Sequence, residues 1–297
     1  MTQRCAGCNL ANFDFDQAEG LRRILAGPKP RIVTIVSAAT PLEKSTMLAN
    51  LGASMAATGN AVLLLDACVA PRGIAAQLGM QPGATLQDVA RQERALNEVA
   101  QLMPQGFGVA TLTRGPLQRA TLDVDSERRL SNAFGILASQ TDILVVDAEL
   151  DPDDALPLAA MGQGEIVIQV APDAASIKTA YGIVKRLNAQ LGRRPFGVLV
   201  SGAGEREAQV VFDNMAQAAS RYLAVQLHSL GSVPVDEHVT RAAKLGRSVT
   251  EAFPLARASV AFRRLAGAFG LSDGAGLHDG HGHGNATRMP AGAFQAV

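Results

Sequence analysis

The chain reads as a three-layer α/β nucleotide-binding fold built on a mostly parallel sheet. Three observations predict it. Short β-branched and aliphatic segments alternate with helical ones between residues 31 and 270, the pattern of a parallel sheet covered on both faces. Hydrophobic residues make up 47% of the 297, yet aromatics only 4%, with no Trp. The core must therefore be Ala, Val, Leu and Ile, which suits helices packed on such a sheet. Finally, a buried strand, Arg31–Ser37, leads through a tight connection into a helix opening at Lys44-Ser45-Thr46, a layout that seats phosphate groups.

Residues 1–30 read as an arm ahead of the domain. Asp16 can cap a short helix, with Glu19 three positions on, and Glu19 and Arg23 form an i,i+4 pair. Gly27-Pro28 ends it. Strands are then expected at 31–37, 60–66, 106–112, 142–148, 164–171, 195–201 and 227–233. Helices are expected at 44–58, 126–139, 173–190, 206–224, 235–245 and 256–269. No internal repeat of fixed period is visible. From Leu271 the composition turns to Gly, His, Asp and Ser. Such a segment buries too little apolar surface to offset ordering, so 271–297 is expected to be a disordered tail.

Composition excludes several classes. Lys+Arg and Asp+Glu both total 27, so no global field favours nucleic acid or an anionic membrane. No run of eighteen apolar residues suggests a membrane span. The opening Met-Thr-Gln-Arg-Cys-Ala-Gly-Cys has no apolar signal region, and three cysteines fit a reducing compartment, so the expected location is the cytoplasm. Cys5 and Cys8 have metal-motif spacing, and His278, His281 and His283 could add imidazoles. Both groups lie in expected mobile ends, so no metal site is predicted. Cys68 reads as a small buried residue with no evident cationic partner. Arg22-Arg23 and Arg193-Arg194 read as solvated charges. In the last helix Phe262, Leu265, Ala266 and Phe269 share a face that is expected to pack on the sheet.

The phosphate loop is approached and then spoiled. In G-x-x-x-x-G-K-[ST] the glycines let amides reach phosphate oxygens. Here Ala38 and Glu43 stand at the glycine positions, and Pro41 contributes no amide. A non-Gly residue forced left-handed costs roughly 1–2 kcal/mol. A carboxylate facing a phosphate at about 5 Å costs roughly 3 kcal/mol at an effective dielectric near 20. Val62-Leu-Leu-Leu-Asp66 and Asp142-Ile-Leu-Val-Val-Asp147 each end in a carboxylate, the placement that holds magnesium in phosphoryl-transfer folds. Lys44, Ser45, Thr46, Asp66 and Asp147 are thus the residual nucleotide-binding candidates, with ATP and magnesium as weak ligands. No catalytic residue is assigned.

Three further segments carry a resemblance. Val62–Gly79, Glu165–Tyr181 and Gly231-Ser-Val-Pro-Val-Asp236 are similar to corresponding segments of the MinD/ParA family of P-loop ATPases, over roughly 31–270. The departures fall at the chemistry. Ala39 replaces the family's signature lysine, and Cys68 replaces the second Asp of Asp-Ala-Asp. Asp147-Ala-Glu-Leu replaces the switch, and Ser201 stands where an Asn reads adenine. The resemblance implies a P-loop NTPase fold with little or no ATP hydrolysis of its own.

Asp16-Gln17-Ala18-Glu19-Gly20-Leu21-Arg22 resembles the DQAxxLR motif of the FlhG (FleN) type of that family, matching at Asp16, Gln17, Ala18, Leu21 and Arg22. This implies regulation of flagellar number or placement, through stimulation of an FlhF-like signal-recognition-type GTPase. The residues agree: Gln17, Leu21 and Ile24 share one helical face, as a partner-groove ligand requires. A Gln in the first turn can orient a water for GTP hydrolysis. An N-terminal helix docked on its own domain would carry the same stripe. Two other classes stay open: an active ATP-dependent dimerising switch, which turnover assays discriminate, and an accessory of another envelope machine such as cellulose export, which gene neighbourhood discriminates. Flagellar switch or regulator proteins, membrane attachment and a homodimer are left undecided.

Overall fold

The computed structural model describes residues 29–68, 72–115 and 123–270. In chain order the elements are β1 (Arg31–Ser37), α1 (Pro41–Ala56), β2 (Val62–Ala67), α2 (Ile74–Gln77), α3 (Leu86–Ala90), β3 (Gln101–Leu102), β4 (Gly108–Thr111), α4 (Val124–Ser139) and β5 (Ile143–Ala148). There follow β6 (Glu165–Val170), α5 (Ala174–Leu191), β7 (Phe196–Ser201), α6 (Glu205–Leu223), β8 (Leu227–Val233), α7 (Glu237–Lys244), α8 (Val249–Ala252) and α9 (Arg257–Gly270). Among the described residues the sheet runs β3-β4-β2-β5-β1-β6-β7-β8. Every pair is parallel except β3 with β4.

The central strands are apolar runs because both of their faces are covered. Val33 and Ile35 of β1 point into one core, with Leu48 and Leu51 of α1 and Phe262 and Phe269 of α9. Val36 of β1, with Leu63 and Leu65 of β2, points into the other, against Phe134 and Leu137 of α4 and Ile183 and Leu187 of α5. The period of two along each strand assigns alternate residues to opposite layers. The stripe Phe262, Leu265, Ala266 and Phe269 is buried against α1 and β8 as expected. Where Gly164 enters β6, an added Cβ would meet the Ile32 carbonyl oxygen at 2.1 Å, so no side chain fits there.

The structure corrects several expected boundaries. β4 is shorter than 106–112, and β2 begins at Val62. The short α2, α3, α8 and β3 carry too little periodicity to be read from sequence. The main correction is α1, which begins at Pro41 and not at Lys44. Arg194 is also more than a solvated charge: its guanidinium donates to the carbonyls of Gly162 and Gly164. The arm, with Asp16 to Arg23, Cys5 and Cys8, and the tail, with its three His, lie outside the described residues.

Candidate functional site

The strands β1, β2 and β5 bring their carboxyl ends together at the start of α1, and this edge holds all five residual candidates. Thr40 caps α1 in extended geometry, and Pro41 takes the first helical position. The Glu43 amide donates to Thr40 Oγ1 at 3.3 Å. In return Glu43 Oε2 accepts from the Thr40 amide at 2.9 Å and from its hydroxyl at 2.8 Å. This is a reciprocal capping box with a pre-set φ at Pro41. The carboxylate expected to face a phosphate instead folds back on its own helix. The expected left-handed strain is absent too: among the described residues the positive-φ non-Gly residues are Gln92, Asp154 and Ala224, all remote from this turn.

Amides that would cradle a phosphate are otherwise engaged. Ala38 donates to the Gln169 carbonyl at 2.9 Å and Ala39 to Ser37 Oγ at 3.0 Å. Lys44 N–H already closes the first helical turn onto the Thr40 carbonyl. Pro41 has no donor.

The Lys44 side chain turns inward and is 5% exposed. Its ammonium meets Asp147 Oδ1 at 2.6 Å and donates to Cys68 Sγ at 3.2 Å. Cys68 therefore has a cationic neighbour, which sequence reading missed. Asp147 Oδ2 accepts from the Ile74 amide at 2.8 Å. Asp66, level with Asp147 across the β2–β5 ladder, accepts from the amides of Cys68 at 3.1 Å and Ala75 at 2.9 Å. The loop can approach Asp66 so closely only because residue 73 is glycine: an added Cβ would sit 1.9 Å from Asp66 Oδ1.

Burial and charge set the protonation of this cluster. Burial is the largest single influence and disfavours the Lys44 ammonium, but the Asp147 charge, the Cys68 sulfur and the hydrogen bonds to both together outweigh it and hold the amine above its ordinary value. Burial first, and Asp147 second, push the Cys68 thiol up. It stays a neutral thiol and donates to the Asp147 carbonyl at 3.3 Å. Burial first, then the Asp147 charge, push the Asp66 carboxyl up to about 6, against the two backbone donors that favour its anion.

The remaining candidates behave unequally. Ser45 Oγ is buried with no hydrogen-bond partner, whereas the Thr46 carbonyl accepts from Asn50 Nδ2 at 2.8 Å. Ser201 Oγ accepts from Gln169 Nε2 at 3.1 Å, inside the sheet edge. Asp236, in the Gly-x-Val-Pro-x-Asp segment, caps α7 and also accepts from the Ala258 amide at 3.0 Å, tying α7 to the start of α9.

A magnesium triphosphate needs free amides, a lysine ammonium and a hydroxyl for the metal. Only the last, Ser45 Oγ, stands ready here. The residues present do not fit a triphosphate, because the chain's own carboxylates occupy both the cap and the ammonium. The cap was legible in the sequence: Thr40-Pro41-Leu42-Glu43 is itself a helix-start signature. The Lys44–Asp147–Cys68 contact was not, because it joins a helix, a strand and a loop far apart in the chain.

No family model matches the chain. The antiactivator FleN of Pseudomonas aeruginosa is 30% identical over 80% of this chain and 85% of its own. MinD of Pyrococcus horikoshii, solved in complex with Mg-ADP, superposes with a TM-score of 0.58 at 18% identity, over 80% of this chain and 94% of that one. A chain of the MinC:MinD cell division complex of Aquifex aeolicus gives 0.60 at 19%, over 84% and 98%. These two likenesses establish the fold.

Proposed function

The chain belongs to the FleN (FlhG) group of the MinD/ParA-like family, and from that premise we propose that it regulates flagellar number or placement by presenting Asp16–Arg22 to an FlhF-like GTPase. The observation that carries this reading is the full match at Asp16, Gln17, Ala18, Leu21 and Arg22. In this reading the domain at 31–270 positions the arm and has little or no ATP turnover. Lys44, Ser45, Thr46, Asp66 and Asp147 then serve the fold. Gln17 supplies the amide that orients the attacking water in the partner, and Leu21 and Ile24 supply the apolar contact. The site of action is cytoplasmic, with a partner recruiting the chain to the pole or the inner membrane face. Among the described residues no helix is long and apolar enough to cross a membrane.

The test is the partner's GTP turnover with the full chain added. Gln17→Ala is expected to abolish stimulation while leaving the thermal midpoint unchanged. Undiminished stimulation by that variant would sink the reading.

A second reading, a nucleotide-dependent switch, is favoured by Ser45 Oγ, buried and unpartnered at the position where a phosphate loop supplies a magnesium ligand. Calorimetric titration with Mg-ATP decides between the two. Micromolar binding followed by turnover supports the switch.

A further inference from the structure

One face of α9 is covered by the domain core, and another lines an open groove. Phe262, Leu265 and Phe269 are buried in the domain core. On another side Arg257, Val260, Ala261 and Arg264 follow the i, i+3, i+4, i+7 spacing of a helix-packing stripe. They line an open groove of about 600 Å³, together with Pro234 after β8 and the first turn of α6. Val260 is 45% exposed, and Leu255 at the same groove is 94% exposed. The rim carries both signs of charge: Arg206, Arg257 and Arg264 against Glu205 and Glu207. Arg264 meets Glu205 at 2.5 Å, with both side chains largely exposed.

We propose that this groove holds the chain's own residues 16–26, and that the arm must leave it to engage the GTPase; the second half rests on the function proposed above. Four properties select this occupant. The arm's stripe, Gln17, Leu21 and Ile24 with Ala18 and Leu25 beside it, has the same seven-residue span as Arg257–Arg264, so two short helices can interdigitate along their length. The arm's acidic end, Asp16 and Glu19, suits Arg206 and Arg257, and its basic end, Arg22 and Arg23, suits Glu207, while Glu205 is paired with Arg264. The chain also enters the domain at the right place. Arg31 donates to the carbonyls of Ala268 at 3.2 Å and Phe269 at 2.5 Å, so β1 starts beside the last turn of α9. From there to Val260 the helix rises about 14 Å, and the four bonds from Lys29 back to Leu25 span about 13 Å when extended.

Docked there, the arm hides the stripe that the partner contact uses. The groove then acts as an internal competitor, and the partner's apparent affinity falls by the fraction of chains with the arm released.

Limited trypsin digestion of the full chain tests this, reading cleavage after Arg22 and Arg23 by mass spectrometry. Leu255→Asp and Val260→Asp place charge in the groove at exposed positions, so the domain stays folded, which thermal melting checks. Each is expected to speed cleavage about tenfold, as release of a mostly docked segment requires. Phe262→Leu, a core change, is expected to leave the rate unchanged. The proposal is overturned by wild-type cleavage as fast as that of a synthetic peptide of residues 10–27. It is equally overturned by unchanged rates in both groove variants, or by protection that rises with protein concentration, which would mean a second copy fills the groove. GTP turnover by the partner separates the two ideas. If groove variants release the arm but no variant alters turnover, docking stands and the proposed partner falls.

Discussion

Two surfaces at the carboxyl edge of the same sheet have opposite characters. At the β1–α1 junction the strong polar groups are satisfied from within: Glu43 caps its own helix, and Asp147 neutralises Lys44. At the β8–α9 rim Leu255 and Val260 stand exposed beside unburied charges. The comparison teaches where a ligand is needed. A pocket that supplies its own counter-charges gains little from an added anion, since binding must first break buried pairs. A groove whose apolar side chains face water gains by roughly 25 cal/mol per Å² that a partner covers.

The hardest way to break this contrast is to remove Asp147. Asp147→Ala leaves the Lys44 ammonium buried without a counter-charge, and such losses cost about 3–5 kcal/mol. Urea denaturation is expected to show a large fall in stability or failure to fold. Replacing the pair together, Lys44→Met with Asp147→Leu, is expected to recover most of the loss, because a buried ion pair can often be exchanged for apolar side chains.

The next effect is a pH dependence carried by Asp66. Its folded carboxyl titrates near 6, above its ordinary value of 3.8. The fold therefore holds this proton more tightly than the unfolded chain does. The group's relative contribution is best below about pH 4 and falls by about 3 kcal/mol as pH rises through 6, an upper estimate for a shift of this size. Stability measured from pH 4 to 7 in the wild type, set against Asp66→Ala, is expected to show this loss only in the wild type.

A smaller effect tests the cap. Glu43→Ala removes one side of the capping box and is expected to cost about 1 kcal/mol. It should not by itself confer ATP binding, because Pro41 and the Lys44–Asp147 pair remain; submicromolar Mg-ATP affinity in this variant would show that Glu43 alone blocks the site. The smallest effect is expected at the rim: Leu255→Ala in the full chain should cost about 0.5 kcal/mol, the apolar contact that a docked arm adds to a side chain otherwise in water. No loss at all would mean that the arm does not reach Leu255.

Most of the fold was legible. Alternating strands and helices, an aliphatic core and the apolar stripe of α9 follow from periods of two and 3.6, which act over a few neighbouring residues. The site was legible in part. The nucleotide-binding candidates Lys44, Asp66 and Asp147 meet at the strand ends, and Asp66 and Asp147 lie level on adjacent strands. The start of α1 was misplaced because Lys44-Ser45 was matched to a phosphate loop, whereas Thr40, Pro41 and Glu43 make a stronger local signal. Cys68 was read as isolated because its cation lies 24 residues away in the chain.

By itself, then, the sequence determined which segments are strand or helix, that both faces of the sheet are covered, and that two glycines needed for a phosphate cradle are missing. These depend on backbone preference and side-chain pattern within one element. Only the tertiary structure decided which charge neutralises which. Lys44, Cys68, Ile74 and Asp147 meet because parallel strands β2 and β5 end side by side. A buried charge takes its partner from whatever the packed sheet places within about 3–4 Å, and that proximity is a property of the whole fold.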